Sequence, residues 1–145
     1  MPHHQDESEP QPTLTDGVVV LRPWRDEDVE PAVAGQDEEV ARWFGWPVDG
    51  ATYERHREAI QGWRAAYADG RSVVSFAVEH EGQLVGSVEV RNVGHDTGAL
   101  SWTLYAGHRG HGYATRAVRL LTDYAIDALH MRRVQAEVDA ANERS

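Results

Sequence analysis

The sequence predicts a single α+β domain, and three observations carry that prediction. Val73 to Tyr105 reads as three consecutive strands joined by short turns. Thr52 to Ala68 and Tyr113 to Leu129 carry apolar residues at helical spacing. Between Ala99 and Leu129 a strand, a glycine-containing turn and a long helix follow one another. The chain has 145 residues, 41% of them hydrophobic, which suits one core.

Residues 1–13 are rich in Pro, Gln, Glu, Asp and His and are expected to form a disordered tail, leaving 14–145 as the domain. His3-His4 supplies too few ligands for a metal, and no metal site is expected. Asp16-Gly17 marks a turn, and the β-branched run Val18 to Leu21 reads as the first strand, ended by Pro23. Asp26 is placed to cap a short helix running to Ala34, with Glu27 and Asp28 near its positive end; Pro31 kinks that helix or delays its start. A second short helical piece spans Asp37 to Phe44. Trp43, Phe44 and Trp46 then cluster before Pro47, either as core or as the aromatic wall of a substrate pocket.

The helix Thr52 to Ala68 presents Tyr53, Ile60, Trp63, Ala66 and Tyr67 as its apolar positions, and Asp69-Gly70 stops it. A hairpin follows. Val73 to Glu79 alternates, His80-Glu81-Gly82 turns, and Leu84 to Val90 returns. After a turn at Gly94 to Gly98, Ala99 to Tyr105 forms the third strand. In the helix Tyr113 to Leu129, the residues Ala114, Val118, Leu121, Ala125, Ala128 and Leu129 share a face, while Arg116, Arg119 and Asp123 lie outside it. Val134 to Val138 reads as a strand, and Asn142 to Ser145 as the start of another helix.

Composition removes several function classes. With no cysteine, disulfides, thiolate metal sites and cysteine nucleophiles are excluded. No apolar run approaches the roughly 20 residues of a membrane span, and Met1 to Pro12 lacks the pattern of a secretory signal, so a cytoplasmic location is expected. The net charge is −10 and every basic residue is Arg. Such a chain is a poor general binder of nucleic acid, and no nucleic-acid or membrane partner is expected. Its acidity tolerates a cationic substrate such as an amine, or serves solubility alone.

Chemistry concentrates at His108 to Arg116, which reads His-Arg-Gly-His-Gly-Tyr-Ala-Thr-Arg. A strand, a glycine turn and a helix start make an anion site, because the first helical amides lack intrahelical acceptors and the macrodipole is positive there. Gly110 and Gly112 let the backbone approach a phosphate closely, and Arg109 and Arg116 add positive charge. A P-loop needs Lys, which this chain lacks. The dinucleotide fingerprint needs a third glycine where Thr115 stands. A tight turn that binds nothing stays open at this level.

The segment Arg109-Gly110-His111-Gly112-Tyr113-Ala114 resembles the Arg/Gln-x-x-Gly-x-Gly/Ala signature of the GNAT superfamily of N-acetyltransferases. Three further pieces resemble its RimJ/RimL branch, which acetylates protein N-terminal amines and has relatives acting on antibiotics and small amines. They are Val20-Leu21-Arg22-Pro23-Trp24 with Asp26-Glu27-Asp28, the hairpin strand Leu84-Val85-Gly86-Ser87-Val88, and Asn142-x-x-Ser145. The resemblance covers roughly Leu14 to Ser145. It implies a mixed, mostly antiparallel sheet with helices on both faces, in which two parallel strands, here Ala99 to Tyr105 and Val134 to Val138, splay to admit the pantetheine arm of acetyl-coenzyme A.

By the same resemblance, the backbone of Trp102, Thr103 and Leu104 pairs with the pantetheine amides. The amides of Arg109, Gly110, His111, Gly112, Tyr113, Ala114 and Thr115 hold the pyrophosphate. Asn142 orients the arm and Ser145 hydrogen-bonds the sulfur. Glu89 is the candidate general base for the attacking amine, ahead of Glu79 and Glu137. Tyr113 and Tyr124 are read as packing residues. The expected activity is acetyl transfer from acetyl-coenzyme A to a primary amine, a protein N-terminus or a small molecule, by direct attack on the thioester. The alternative is a non-catalytic acyl-coenzyme A binding or interaction module. Family members continue past Ser145 with a helix and a β-hairpin. The resemblance therefore implies an incomplete C-terminal side, either a truncated or processed form or one whose remainder a homodimer partner or another chain supplies.

Overall fold

The structure, a computed structural model, describes residues 10–35, 53–105 and 107–136. The helical piece at Asp37 to Phe44, the aromatic cluster Trp43, Phe44 and Trp46, and the residues Glu137, Asn142 and Ser145 lie outside the described residues, as does His3-His4.

The described elements are β1 (Leu14–Thr15), β2 (Val20–Arg22), a 3-10 turn (Asp26–Asp28), α1 (Val29–Gly35), α2 (Tyr53–Ala68), β3 (Val73–His80), β4 (Gln83–Asn92), β5 (Thr97–Leu104), α3 (Tyr113–Asp127) and β6 (Arg133–Ala136). The strands form one sheet in sequence order. Every pairing is antiparallel except β5 with β6, which α3 joins as a crossover. The mixed, mostly antiparallel sheet with helices on both faces is the architecture that the resemblance implies.

Strand alternation assigns the two faces. Leu21, Phe76, Val88, Val90 and Leu100 pack with Ala117, Leu121, Tyr124 and Ala125 of α3. Ala77, Leu84 and Tyr105 pack on the other face with Trp24, Val29 and Ala32 of the α1 region and Ile60 of α2. Each large apolar side chain buried this way contributes about 1.5–3 kcal/mol.

The motif around Arg22 is structural. Arg22 and Asp28 are buried and joined by two hydrogen bonds of 2.9 and 2.7 Å, while Arg22 Nε also donates to Glu79 at 2.7 Å. Asp28 Oδ2 accepts the Arg25 amide at 2.8 Å, which fixes the start of the 3-10 turn. Asp28 foremost, then Glu79, raises the Arg22 pKa further above its ordinary value. This clamp docks α1 on the sheet. Pro31 is tolerated because it sits in the first turn of α1, where its missing amide has no intrahelical acceptor.

Several sequence boundaries move. The first strand is Val20–Arg22, not Val18 to Leu21, and β1 precedes it as a two-residue edge too short to show periodicity. His80 belongs to β3, so the hairpin turn is the two residues Glu81 and Gly82, both at positive φ (51° and 79°), as a twisted two-residue hairpin demands. The turn before β5 ends earlier than expected, with Thr97 and Gly98 already in the strand. Tyr53 is 52% exposed at the N-terminal end of α2, and His56 takes the buried position one turn on. At the other end of the domain, α3 stops at Asp127 and Ala128 is exposed. Its face is completed instead by Ala117 and Tyr124.

Gly86 sits where β4 and β5 approach most tightly. A Cβ there would lie 2.2 Å from the Thr103 carbonyl oxygen. The adjoining register shift, in which Val78 pairs with Gly86 but Glu79 with Leu84, leaves Val85 as the extra residue of a bulge in β4 itself.

Candidate active site

The loop from β5 to α3 uses three glycines in the left-handed region, Gly107 (φ 86°), Gly110 (84°) and Gly112 (80°). A Cβ built on Gly110 or Gly112 meets nothing within 4 Å, so the backbone dihedral rather than crowding requires glycine, and the space beside the loop is open. Gly112 is the N-cap of α3, and no side chain caps that end. The first helical bond runs from the Arg116 amide to Gly112 O at 3.2 Å. Helix geometry therefore directs the Tyr113, Ala114 and Thr115 amides outward without an intrahelical acceptor.

The local charge matches. The first turn of α3 holds no acidic residue, whereas those of α1 and α2 carry Glu30 and Glu54. No Asp or Glu occurs between Asp96 and Asp123, a stretch that contains Arg109, Arg116, Arg119, His108 and His111. In a chain of net charge −10 this is a positive island, to which the N-terminus of α3 adds its dipole.

Arg116 departs from its expected role. Its Nη1 donates to Asp16 Oδ2 at 2.9 Å, so this guanidinium braces the helix against the β1–β2 turn. The partner carboxyl is held down at about 2, by the Val19 amide first, then by the Val18 amide and Arg116, against the raising effect of desolvation. The Tyr113 ring contacts both His80 and His111, with centroids at 4.6 and 5.3 Å. Tyr113 therefore packs, as expected. Tyr124 also packs, edge-on to Phe76 at 5.5 Å; burial first, then Tyr67, raises its pKa. Neither the His80–Tyr113 contact nor the Asp16–Arg116 pair was visible in the sequence, because the partners lie 33 and 100 residues apart in the chain.

The C-terminal half of β5 leads to this loop. Parallel pairing with β6 is described from Thr97↔Arg133 to Leu100↔Ala136, which leaves Trp102, Thr103 and Leu104 on the continuation of that strand edge. Trp102 faces α3 and, with Ala114, Thr115, Val118, Arg119, Thr122 and Asp123, lines a groove of about 330 Å³. Thr103 points to the opposite face. It is 1% exposed, and its hydroxyl has no hydrogen-bond partner among the described residues. A buried hydroxyl in that state costs stability until a polar group meets it. The residues present thus fit an extended thioester donor with an anionic end: a polar strand edge, an apolar groove and an amide cradle.

Glu89 lies on β4, with β5 between it and the expected gap. It pairs across the sheet with Ser75 and Ser101, on the α1 and α2 face. Its side chain is 20% exposed, with Arg91 at 3.9 Å. Ser75 in turn accepts the Trp24 indole N–H at 3.0 Å. Glu79, the other described candidate, is committed to Arg22 at 2.7 Å and is structural. Among the described residues no cluster of metal-ligating side chains occurs, and no helix is long and apolar enough to cross a membrane.

The model of the acetyltransferase (GNAT) domain matches residues 19–145. Solved structures agree in fold. A GNAT-family acetyltransferase from Bacillus anthracis matches with a TM-score of 0.76 at 19% identity, covering 92% of this chain and 78% of its own. RimJ from Mycobacterium smegmatis, solved with a coenzyme A disulfide, matches with a TM-score of 0.67 at 23% identity, covering 92% and 69%. RimL, a ribosomal L7/L12 α-N-protein acetyltransferase solved with coenzyme A, matches with 0.73 at 14% identity, covering 89% and 77%. No curated protein sequence matches closely enough to add to these. With a family model spanning most of its length and the fold to go with it, the chain belongs to the GNAT acetyltransferases, enzymes that use acetyl-coenzyme A as acetyl donor.

Proposed function

We propose that this chain acetylates a primary amine, either a protein N-terminus or a small molecule, using its own cradle and strand edge. The observation that carries the proposal is the N-terminus of α3, which is uncapped, free of acid and fronted by left-handed glycines at the end of β5. RimJ and RimL among the structural relatives support an N-terminal amine, and the chain's net negative charge suits a cationic acceptor. A cytoplasmic setting accords with this reading.

Bound acetyl-coenzyme A supplies the thioester. The neutral amine attacks its carbonyl carbon, the carbon–sulfur bond breaks, and the products are an acetamide and the free thiol. The protein's tasks are orientation and proton removal. The Gly110 to Thr115 amides hold the pyrophosphate, and the backbone of Trp102 to Leu104 holds the pantetheine. Glu89, half-buried on the α1 and α2 face, takes the proton from the attacking nitrogen, directly or through a water. The resemblance assigns Asn142 to the arm and Ser145 to the sulfur.

Calorimetry with acetyl-coenzyme A, followed by a thiol-release assay over an amine panel, tests this. Binding with thiol release on at least one amine is expected. Binding with no turnover on any amine would leave an acyl-coenzyme A binding module, and no binding at all would overturn the cradle assignment.

A further inference from the structure

The cradle is built from glycines and has no side-chain cap, so its shape must be held from outside. We propose that His80 and the β1–β2 turn form a clasp that sets the position of the α3 N-terminus, with His80 as a positioning residue for the pyrophosphate. This rests on the cradle reading above.

Two independent tethers run from the start of α3 to one short turn. In the first, the Tyr113 ring stacks against His80 at 4.6 Å, and His80 Nδ1–H donates to Val18 O at 2.8 Å. In the second, Arg116 Nη1 donates to Asp16 Oδ2 at 2.9 Å. The turn that receives both is itself fixed. Asp16 Oδ1 accepts the Val18 and Val19 amides at 2.9 and 3.0 Å, the Thr15 hydroxyl donates to Val19 O at 2.8 Å, and the Gly17 amide donates to Thr15 Oγ1 at 3.0 Å.

His80 is half-buried at the end of β3 and contacts the start of α3 through the Tyr113 ring. Tyr113 is the first residue of α3, next to Gly112, so a shift of its ring moves the amides that face the anion. The same ring also contacts His111, the exposed residue between Gly110 and Gly112, at 5.3 Å. Through these two contacts Tyr113 links the hairpin to the middle of the loop. Preorganising a site in this way improves binding by reducing the ordering cost.

The test compares acetyl-coenzyme A with S-acetylpantetheine, which carries the same thioester and arm without the pyrophosphate. The wild-type protein is expected to prefer acetyl-coenzyme A. His80→Ala should raise KM for acetyl-coenzyme A roughly five- to tenfold, with kcat held, while S-acetylpantetheine kinetics stay within about twofold. His80→Phe, which keeps the ring but loses the donor to Val18 O, and His80→Gln, which keeps a donor but loses the ring, should each recover only part of the affinity, because the tether needs both. That pair stands even if the alanine variant fails to fold. An unchanged KM, equal losses with both donors, or full wild-type affinity in either the phenylalanine or the glutamine variant would overturn the clasp. A wild-type protein indifferent to the two donors would overturn the cradle itself.

Discussion

Gly112→Glu, set beside Gly112→Ala, separates the two things that Gly112 provides. Its φ of 80° is left-handed, so any Cβ costs roughly 1–2 kcal/mol in backbone strain. Among the described residues, none beyond its chain neighbours lies within 4 Å of that Cβ, so alanine adds strain without a clash. Glutamate adds the same strain plus a carboxylate at the mouth of the cradle. At about 6 Å from a single phosphate charge, with an effective dielectric of about 20, the repulsion is roughly 3 kcal/mol, or about a hundredfold in Kd. Calorimetric titration with acetyl-coenzyme A reads both variants. Alanine should weaken binding by about thirtyfold at most, and glutamate by a further hundredfold or so. The glutamate increment should shrink as salt is raised, because exposed charges are screened. A glutamate variant that binds within about threefold of the alanine variant, or whose deficit ignores salt, would refute the placement of an anion here.

Gly86→Ala places a Cβ 2.2 Å from the Thr103 carbonyl oxygen, so β4 and β5 must separate; a melting temperature lower by several degrees and weaker acetyl-coenzyme A binding are expected. If Glu89 is the proposed base, Glu89→Gln should lower kcat by about a hundredfold while leaving the calorimetric affinity for acetyl-coenzyme A nearly unchanged, since β4 is separated by β5 from the edge proposed to hold the donor. Asp16 has a folded pKa of about 2, below its ordinary 3.8, so it contributes stability above about pH 4 that is lost as pH falls towards 2. Denaturant titrations of Asp16→Asn across that window should show a flatter acid slope than the wild type.

The sequence disclosed the fold's repeated features and concealed its single contacts. Alternation in β3 to β5 and the apolar face of α3 are periodic signals, averaged over many residues. They hold even though Tyr53 and Ala128 are exposed, because one exposed position does not erase a period. The loop at Arg109 to Thr115 was legible for a different reason, since glycine at positive φ and the missing acid are both written in residue types. The clasp was not legible. His80 and Tyr113, or Asp16 and Arg116, are joined by neither spacing nor pattern, and only the closed sheet brings them together. Arg22 with Asp28 shows the intermediate case. The two residues were visible as part of a motif, but that the motif is a buried bidentate pair, and not a substrate contact, needed the coordinates.

Strand β5 explains how one sheet can serve donor and acceptor at once. Its alternation sends Leu100 and Trp102 to the α3 face and Ser101, Thr103 and Tyr105 to the face under α1 and α2. The α3 face leads to the positive island, and the opposite face carries Ser75, Glu89 and Ser101 in one cross-strand row. A thioester donor lying along the β5 edge would therefore have its anionic end anchored at α3 while its reactive end is open to the face that holds the carboxylate. The separation also reconciles the charges. A chain of net charge −10 can present a site for a polyanion because the Thr97 to Thr122 segment contains no Asp or Glu, and Asp16, which reaches the start of α3, is paired with Arg116; the remaining acids suit the proposed cationic amine.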